Sequence, residues 1–174
     1  MQEEKILIIG PAWVGDMVMA QALFKLLKQQ APNTLIDVAA PDWTRALLLR
    51  MPEVNQAISL PLRHGEFNLY KRFKLGRSLR NTHYSQAIVL PNSWKSALIP
   101  FFAGIKKRTG WQGEARYGLL NDRRTLPKDT LRLMVERFMA LGLEKNAPLP
   151  TPYAVPKLTI DNTSLKTSVD RYHL

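Results

Sequence analysis

The apolar and polar positions of the chain follow two different periods near its start. Residues 6–9 are a short apolar run rich in β-branched side chains, which is typical of a strand buried on both faces of a parallel sheet. Residues 15–30 repeat apolar side chains at helical spacing. This strand and helix predict the first half of a βαβ unit, with Gly15 and Asp16 at the turn between them.

The same alternation of strand and helix patterns continues as far as residue 141. Alternating elements of this kind predict an α/β fold, a doubly wound and mainly parallel Rossmann-like sheet flanked by helices, with right-handed crossovers. The pattern leaves the strand order open, and residues 114–128 are predicted to be an irregular loop. The further predicted strands are 35–40, 56–60, 86–90 and 105–109, and the further predicted helices are 43–50, 67–80, 95–103 and 130–141.

A change of composition near residue 146 predicts a domain boundary. Gly142 is a suitable residue for ending the last predicted helix. Four prolines follow between positions 148 and 156, and proline-rich segments form extended linkers. We therefore expect one domain over residues 1–146, followed by a linker and tail over residues 147–174.

The net charge of the chain restricts its possible partners more than the amino-acid composition does. The net charge is +11, and it is concentrated in two blocks, residues 61–80 and 106–137. Such blocks favour polyanions, which include nucleic acid, phosphorylated sugars or lipids, and an anionic membrane surface. For any single lysine or arginine, a place on a solvent-exposed helix face that binds no partner is the simpler explanation. The absence of cysteine, of a signal-peptide pattern and of a long apolar segment favours a cytoplasmic location.

The residues that follow the predicted strands are expected to meet at one edge of the sheet, which we call the carboxyl rim. All four tryptophans lie there, and an indole ring suits the apolar face and the hydroxyls of a sugar. Trp43 begins an apolar helix and is expected to cover the sheet, whereas the other three either bind a sugar or cover the sheet. The candidate ligand-binding residues at the rim are Trp13, Gly15, Asn92, Ser93, Trp94, Lys95 and Trp111.

The sequence lacks the motifs that are typical of nucleotide-cofactor binding and of metal binding. Neither G-x-G-x-x-G nor G-x-x-x-x-G-K-[ST] occurs, and the bulky Trp13 stands where a pyrophosphate would need a small residue. No cluster of His, Cys, Asp or Glu has metal-ligand spacing. We expect neither a nicotinamide cofactor nor a metal. A basic nucleic-acid-binding module stays open as an alternative, although no known nucleic-acid-binding motif is present.

Asp16 has two interpretations. An acidic residue in the first turn of a helix is stabilised by the helix dipole, and the pattern alone favours this explanation. The other interpretation is a general base, because Asp16 is the only ionisable residue in a turn that faces the ligand.

Two motifs identify a resemblance to a known family. The segments GPAWVGDMVMAQ, starting at Gly10, and LPNSWKSALIPFFAGIKKRTGW, starting at Leu90, resemble the lipopolysaccharide heptosyltransferases. The resemblance extends over about residues 4–145. It implies a metal-independent, inverting glycosyltransferase of the GT-B fold, in which two Rossmann-like domains face each other across a cleft.

The resemblance also implies roles for single residues. Asp16 corresponds to the proposed base that removes a proton from the acceptor heptose. The basic residues expected to meet phosphates and carboxylates of the lipopolysaccharide inner core are Arg63, His64, Lys95, Arg108 and Arg116.

The family continues into a second domain that holds ADP-heptose, and this chain ends near the place where that domain would begin. The resemblance therefore implies an N-terminal, acceptor-binding half that does not transfer heptose alone. It further implies peripheral contact with the inner face of the cytoplasmic membrane of a Gram-negative bacterium, and no nucleic-acid partner.

Overall fold

Six parallel strands form the sheet in the part of the chain that the structure, a computed structural model, describes: residues 4–61, 66–160, 165 and 170–171. Their order is β3-β2-β1-β4-β5-β6, and every neighbouring pair is parallel. The predicted α/β fold class is confirmed. The strands are β1 (Lys5–Ile9), β2 (Leu35–Ala40), β3 (Val54–Ser59), β4 (Gln86–Val89), β5 (Lys107–Trp111) and β6 (Asp122–Arg124).

Helices cover both faces of this sheet. Short 3-10 turns over Asp42–Thr44 and Trp94–Ala97 lead into the second and fourth helices, and another over Arg80–Thr82 follows the third. The α-helices are α1 (Val14–Gln30), α2 (Arg45–Leu48), α3 (Leu69–Ser78), α4 (Leu98–Phe102) and α5 (Met134–Leu141).

The apolar run of β1 is continuous because its two faces pack against two different layers. Ile6 and Ile8 are buried in a cluster with residues of α1 and α5. Leu7 and Ile9 are buried in a second cluster with residues of α4. Burying each such side chain stabilises the fold by roughly 1.5–3 kcal/mol, so β1 is the centre of both cores.

The prediction of an irregular loop over residues 114–128 was wrong, because β6 lies within it. The three residues of β6 are all charged, so they lack the apolar run by which a buried strand is recognised. Hydrogen bonds from the Arg124 guanidinium hold the strand in place instead. The guanidinium donates to the carbonyl oxygens of Ala140 and Leu143 at 2.8 Å each, and to Asp122 Oδ2 at 2.7 Å.

Among the element boundaries that differ from their predicted positions, those of β5 and α5 have clear local reasons. β5 begins at Lys107 because Gly104 has a positive φ of 71° and Ile105 N bonds back to the Pro100 carbonyl. α5 begins at Met134 because the Glu136 carboxylate accepts a hydrogen bond from Leu133 N at 2.9 Å, which caps the helix there.

The proline-rich segment over residues 148–160 is extended and lies against α1. Both ends of the Gln21 amide bond to the backbone of Lys157, at 2.9 Å and 2.7 Å. Thr159 N donates to the Arg50 carbonyl at 2.8 Å, and Leu158 packs against the larger core cluster. Residues beyond 160 are described only at positions 165, 170 and 171.

None of the helices in the described residues combines the length and apolar character that crossing a bilayer requires. Within the same residues, no three His, Cys, Asp or Glu side chains come together as a possible metal site.

Candidate functional site

The strand order reverses between β1 and β4, which are neighbours in the sheet although β2 and β3 separate them in sequence. Ligands of doubly wound sheets bind beyond the carboxyl ends of the strands at such a reversal. A cavity of about 440 Å³ opens there. Five residues predicted from the sequence line it: Trp13, Asp16, Asn92, Ser93 and Lys95.

The turn after β1 is held tightly against the sheet. A Cβ at Gly10 would come within 2.7 Å of Met17 Cε and 3.2 Å of Val38, so only glycine lets α1 begin this close to the strands. Trp13 is the extended residue that precedes α1, and it is 68% exposed. Asp16 follows in the first turn of α1, where it is half-buried in the cavity wall.

Trp43 supports this turn from the neighbouring loop. Its indole Nε1 donates a hydrogen bond of 2.9 Å to the carbonyl oxygen of Ala12. Its ring is half exposed and lines the same cavity. Gly15 is exposed near the start of α1 and is not one of the residues that line the cavity, and a Cβ there would meet nothing within 4 Å.

The turn after β4 is anchored by the segment over residues 112–116. Trp94 N donates to the Glu114 carboxylate at 3.0 Å, and Glu114 N donates to the Asn92 carbonyl at 3.3 Å. A Cβ at Gly113 would lie 2.5 Å from that same carbonyl oxygen. The backbone that presents Asn92 and Ser93 to the cavity is therefore fixed from outside the turn.

Arg72 is a buried cation in the cavity wall that the sequence analysis did not predict. It is only 5% exposed, and it donates to the carbonyl oxygens of Lys95 at 3.0 Å and Glu66 at 3.3 Å. Burial lowers its pKa, and the charge of Glu66 opposes this shift. Its Nε is buried and has no hydrogen-bond partner in the described residues.

The helical spacing of Arg72 and Gly76 is the sequence signal for a buried Arg72. Arg72 and Gly76 are the buried residues of α3, and they lie one turn apart on the side that packs against α4. The sequence instead favoured Phe67, Tyr70, Phe73 and Leu79 as the inner side of this helix, and this was wrong for the three aromatic residues, which are exposed.

Arg116 does not present a free charge at the carboxyl rim, contrary to the prediction. Its side chain is completely buried. It donates to the Pro91 carbonyl at 2.8 Å and also to the Trp111 carbonyl. Burial lowers its pKa, with Glu114 opposing. Arg116 thus joins the turn after β4 to the end of β5.

The predicted position of Trp111 was also wrong. Trp111 is the last residue of β5, because the strand starts two residues later than predicted. Its ring is buried in the larger core cluster, and its Nε1 donates to the Arg137 carbonyl at 3.1 Å. It lines a different cavity, next to α5 and the proline-rich segment.

Arg108 lies at the opposite end of the sheet from the carboxyl rim, so its predicted position was wrong as well. It pairs in register with Ala87, near the start of β4. Its guanidinium donates to the carbonyl oxygens of Leu119 at 2.6 Å and Ile105 at 2.5 Å. Burial lowers its pKa.

Trp94 lies at the rim beside the cavity, where its ring packs on Phe67 with the centroids 5.1 Å apart. Arg63 and His64 lie outside the described residues.

The cavity brings together a carboxylate, indole rings, an amide and a lysine at a size that suits a sugar. Such a site can bind a hydroxylated, anionic ligand and remove a proton from it. Fold and site together define an α/β domain of the Rossmann type with a ligand site at the reversal of its strand order.

Comparison with known proteins gives the family. The model of glycosyltransferase family 9 (heptosyltransferase) matches residues 72–173, and the chain belongs to this family. The chain is 52% identical over 98% of its length to lipopolysaccharide heptosyltransferase 2 of Escherichia coli, and 56% identical over 90% to that of Salmonella typhimurium.

Solved structures agree with this assignment. The structure of the E. coli ADP-heptose lipopolysaccharide heptosyltransferase II matches 98% of the chain at 50% identity, with a TM-score of 0.86. A family 9 glycosyltransferase from Veillonella parvula shares the fold, with a TM-score of 0.81 at 13% identity. The chain spans about half the length of the curated relatives that it matches, 50% of the E. coli protein and 46% of the Salmonella protein.

Proposed function

We propose that this chain is the N-terminal, acceptor-binding half of an inverting heptosyltransferase. The complete enzyme would transfer L-glycero-D-manno-heptose from ADP-heptose to a heptose of the lipopolysaccharide inner core. The observation that carries the proposal is the cavity between β1 and β4, which Asp16, Asn92 and Lys95 line together. The chain that forms this cavity belongs to the heptosyltransferase family.

Asp16 is the group placed for proton removal. As the acceptor hydroxyl oxygen attacks the anomeric carbon of the donor, its proton passes to the Asp16 carboxylate. The bond from that carbon to the ADP oxygen breaks on the opposite face, and ADP leaves with the bonding electrons. The scheme involves no metal or cofactor, and a second domain of the complete enzyme would bind most of the donor.

The positive groups of the cavity wall would hold the acceptor. Lys95 can pair with a phosphate or carboxylate of the inner core, and Arg72 supplies a second positive charge from the wall. Arg63 and His64 belong to the same proposed set, and Trp13 and Trp94 offer apolar ring faces to sugars. Gly15, which is exposed near the start of α1 with open space around it, completes the proposed set.

The proposed setting is the cytoplasm, with peripheral contact at the inner face of the cytoplasmic membrane, where a lipid-linked acceptor would be found. The nucleic-acid alternative has no support among the relatives, which are heptosyltransferases.

The test is a calorimetric titration of the chain with delipidated inner-core oligosaccharide. We expect Lys95→Met to weaken binding by about tenfold or more, because a charge-assisted hydrogen bond contributes about 1.5–3 kcal/mol. Arg63→Ala should weaken binding too, whereas Asp16→Asn should leave it nearly unchanged. Lys128→Met, at an exposed position outside the cavity, is the matched control.

Absence of oligosaccharide binding, or equal effects of Lys95→Met and Lys128→Met, would overturn the proposal. Duplex DNA that binds more tightly than the oligosaccharide at physiological salt would favour the nucleic-acid alternative instead. No heptose transfer from ADP-heptose is expected of the chain alone.

A further inference from the structure

A second cavity, of about 260 Å³, opens at the end of the sheet opposite the carboxyl rim. Tyr84 and Ser85 line it just before β4 begins, and Ile105 and Lys106 line it just before β5 begins. Residues of a parallel strand rise by about 3.3 Å each, so the length of β4 separates this cavity from the carboxyl rim by about 15 Å. Nothing in the proposed reaction uses it.

Three basic side chains line this cavity, which we call the basic cavity: Arg80, His83 and Lys106. All three are exposed, and none of them forms an ion pair with a described residue. The residues of the cavity wall all come from the stretch between Glu66 and Glu114, which contains nine lysines and arginines and no acidic residue. The charges of Arg80 and Lys106 repel each other, and an anion between them would replace this repulsion with attraction.

The Arg80 guanidinium is held at the cavity by the end of α4. Its Nε donates to the Phe102 carbonyl oxygen at 3.1 Å. Within the described residues, this is the only hydrogen bond of the Arg80 side chain, so its terminal N–H groups can bind a ligand. A guanidinium fixed in this way loses little conformational freedom on binding, and its planar fork matches two oxygens of a phosphate.

The chain reverses direction on two sides of the basic cavity. His83, after the 3-10 turn that follows α3, has a left-handed backbone with a φ of 55°, and Gly104, after α4, has a φ of 71°. Glycine adopts this conformation readily, whereas a Cβ disfavours it. The turn at position 83 needs no side chain, and an imidazole there adds a hydrogen-bond donor to the cavity wall.

Neutralisation of a helix end is the simpler explanation for basic residues at these positions, because helix C-termini attract cations. The last three carbonyl groups of α4, however, already accept hydrogen bonds from Ile105 N, Gly104 N and Arg80 Nε. The helix has only five residues, so its dipole is small. The ammonium group of Lys106 is therefore not needed to complete this helix end.

Two carboxylates contact residues of the cavity wall, and both are engaged there. Glu4 accepts a hydrogen bond from the Ser85 hydroxyl at 3.1 Å. Asp37 is buried and accepts hydrogen bonds of 2.7 Å from the Tyr84 hydroxyl and from the Asn55 amide. Burial and the contact with Asp37 raise the pKa of Tyr84, so its hydroxyl stays neutral. The basic side chains thus supply most of the free charge that an incoming ligand meets.

We propose that the basic cavity is a second ligand site, which binds a small soluble phosphate monoester through Arg80, His83 and Lys106. A cavity of about 260 Å³ holds a phosphate with a short carbon chain, but it is smaller than the sites of larger ligands such as nucleotides. A monoester carries close to two negative charges at neutral pH, which match the two fixed cations. The proposal does not depend on the proposed function, because the acceptor would bind at the other end of the sheet.

Calorimetric titration with glycerol 3-phosphate tests the site. We expect saturable binding of one molecule per chain, and dimethyl phosphate, with its single charge, should bind at least about fivefold more weakly. Lys106→Met should weaken binding of glycerol 3-phosphate by about tenfold, because it removes a charge-assisted hydrogen bond. His83→Asn should weaken it by about threefold, and asparagine tolerates the left-handed backbone at this position.

Two other lysines provide the controls. Lys74→Met removes the same charge from an exposed position of the same layer, on α3 outside the basic cavity. Lys95→Met removes a cation from the cavity at the carboxyl rim. Both variants should bind glycerol 3-phosphate within about twofold of the original chain. Since only Lys95→Met should weaken binding of the inner-core oligosaccharide, each of the two proposals can fail without the other.

A second measurement keeps the test valid if the Lys106 variant fails to fold, which circular dichroism would detect. Glycerol 3-phosphate should shift the imidazole NMR signals of His83, which are identified by their loss in His83→Asn. Unshifted His83 signals under conditions of saturable binding would overturn the proposed site, because the ligand would then lie elsewhere.

Three further results would overturn the proposal: no saturable binding of glycerol 3-phosphate, equal losses in Lys106→Met and Lys74→Met, or a loss in Lys95→Met as large as that in Lys106→Met. A lipid headgroup is the other source of a phosphate monoester. Vesicles of phosphatidic acid that bind through Lys106, while free glycerol 3-phosphate does not bind, would assign the cavity to that source and would exclude a soluble ligand.

Discussion

Three arginines show how the same residue type serves different purposes in this chain. Arg72, Arg108 and Arg116 all donate to backbone carbonyl oxygens, and burial lowers the pKa of each. A planar guanidinium can reach several carbonyls at once, so it joins loops that have no strand pairing. The turns around the cavity keep their shape largely through Arg72 and Arg116.

Replacing Arg116 with methionine should lower the free energy of unfolding by about 3 kcal/mol, because the Pro91 and Trp111 carbonyls would lose their buried donor. Urea unfolding measures this loss. Arg123→Met is the control: Arg123 stacks on Tyr117 at a more exposed place, and its loss should cost less than about 1 kcal/mol. A smaller effect at Arg116 than at Arg123 would contradict the role of Arg116.

Gly113 should not tolerate a side chain. Gly113→Ala puts a Cβ 2.5 Å from the Asn92 carbonyl oxygen, and we expect a loss of about 2 kcal/mol in thermal unfolding. Gly15→Ala is the natural comparison, because it lies in α1 with open space around it and should stabilise the chain by about 0.5 kcal/mol. Stability changes of the same sign in the two variants would contradict the close contact at Gly113.

At the scale of elements, β6 is held by side chains rather than by an apolar face. Asp122 accepts hydrogen bonds from Arg124 and from the Thr109 hydroxyl at 2.9 Å. Burial pushes the pKa of Asp122 upward. The hydrogen bonds from Arg124 and Thr109 and the charges of Arg124 and Lys107 outweigh burial and hold that pKa below its usual value.

The lowered pKa makes the attachment of β6 sensitive to acid. Its stabilisation is fully present above the unfolded-state pKa of about 3.9 and is lost as the pH falls through the lower folded-state value. Asp122→Asn should therefore destabilise the chain by about 2 kcal/mol at pH 7, and the difference should shrink at pH values below about 4. Urea unfolding at both pH values checks this, and a constant difference would contradict it.

Periodicity predicted most elements, because β1, β2, β4 and α1 have the apolar patterns that burial requires. It missed β6, which is held by the ion pair between Asp122 and Arg124 and by hydrogen bonds from Arg124 to carbonyls at and after the end of α5. It also placed Trp111 and Arg108 at the rim, because a shift of two residues in β5 changes which side chains reach the end of the strand. Trp13, Asp16 and Lys95 were placed correctly since their strands were.

At the scale of the whole molecule, the proline-rich segment adds a strap across α1. Gln21 is completely buried and holds both the N–H and the carbonyl of Lys157. Lys25 also donates to the Val155 carbonyl at 2.9 Å. The strap is therefore held by this buried amide together with the apolar side chains of Leu149, Tyr153 and Leu158, which pack on the core clusters.

Gln21→Leu should loosen this strap and raise the rate of tryptic cleavage after Lys157 by about tenfold, because two backbone hydrogen bonds of about 1 kcal/mol each are lost. Gln29→Leu makes the same change on the exposed side of α1 and should leave the rate unchanged. Equal cleavage in both variants would contradict the role of Gln21.

The pairing of Ile6 in β1 with Gln86 in β4 has a consequence for how the protein matures. Without β4, the elements β1, β2 and α1 form only part of the cavity lining, because Asn92, Ser93 and Lys95 follow β4. The site proposed for the sugar is therefore complete only when β4 is paired with β1. A bound saccharide would favour the finished molecule over every partly assembled one, and would act as a small-molecule chaperone.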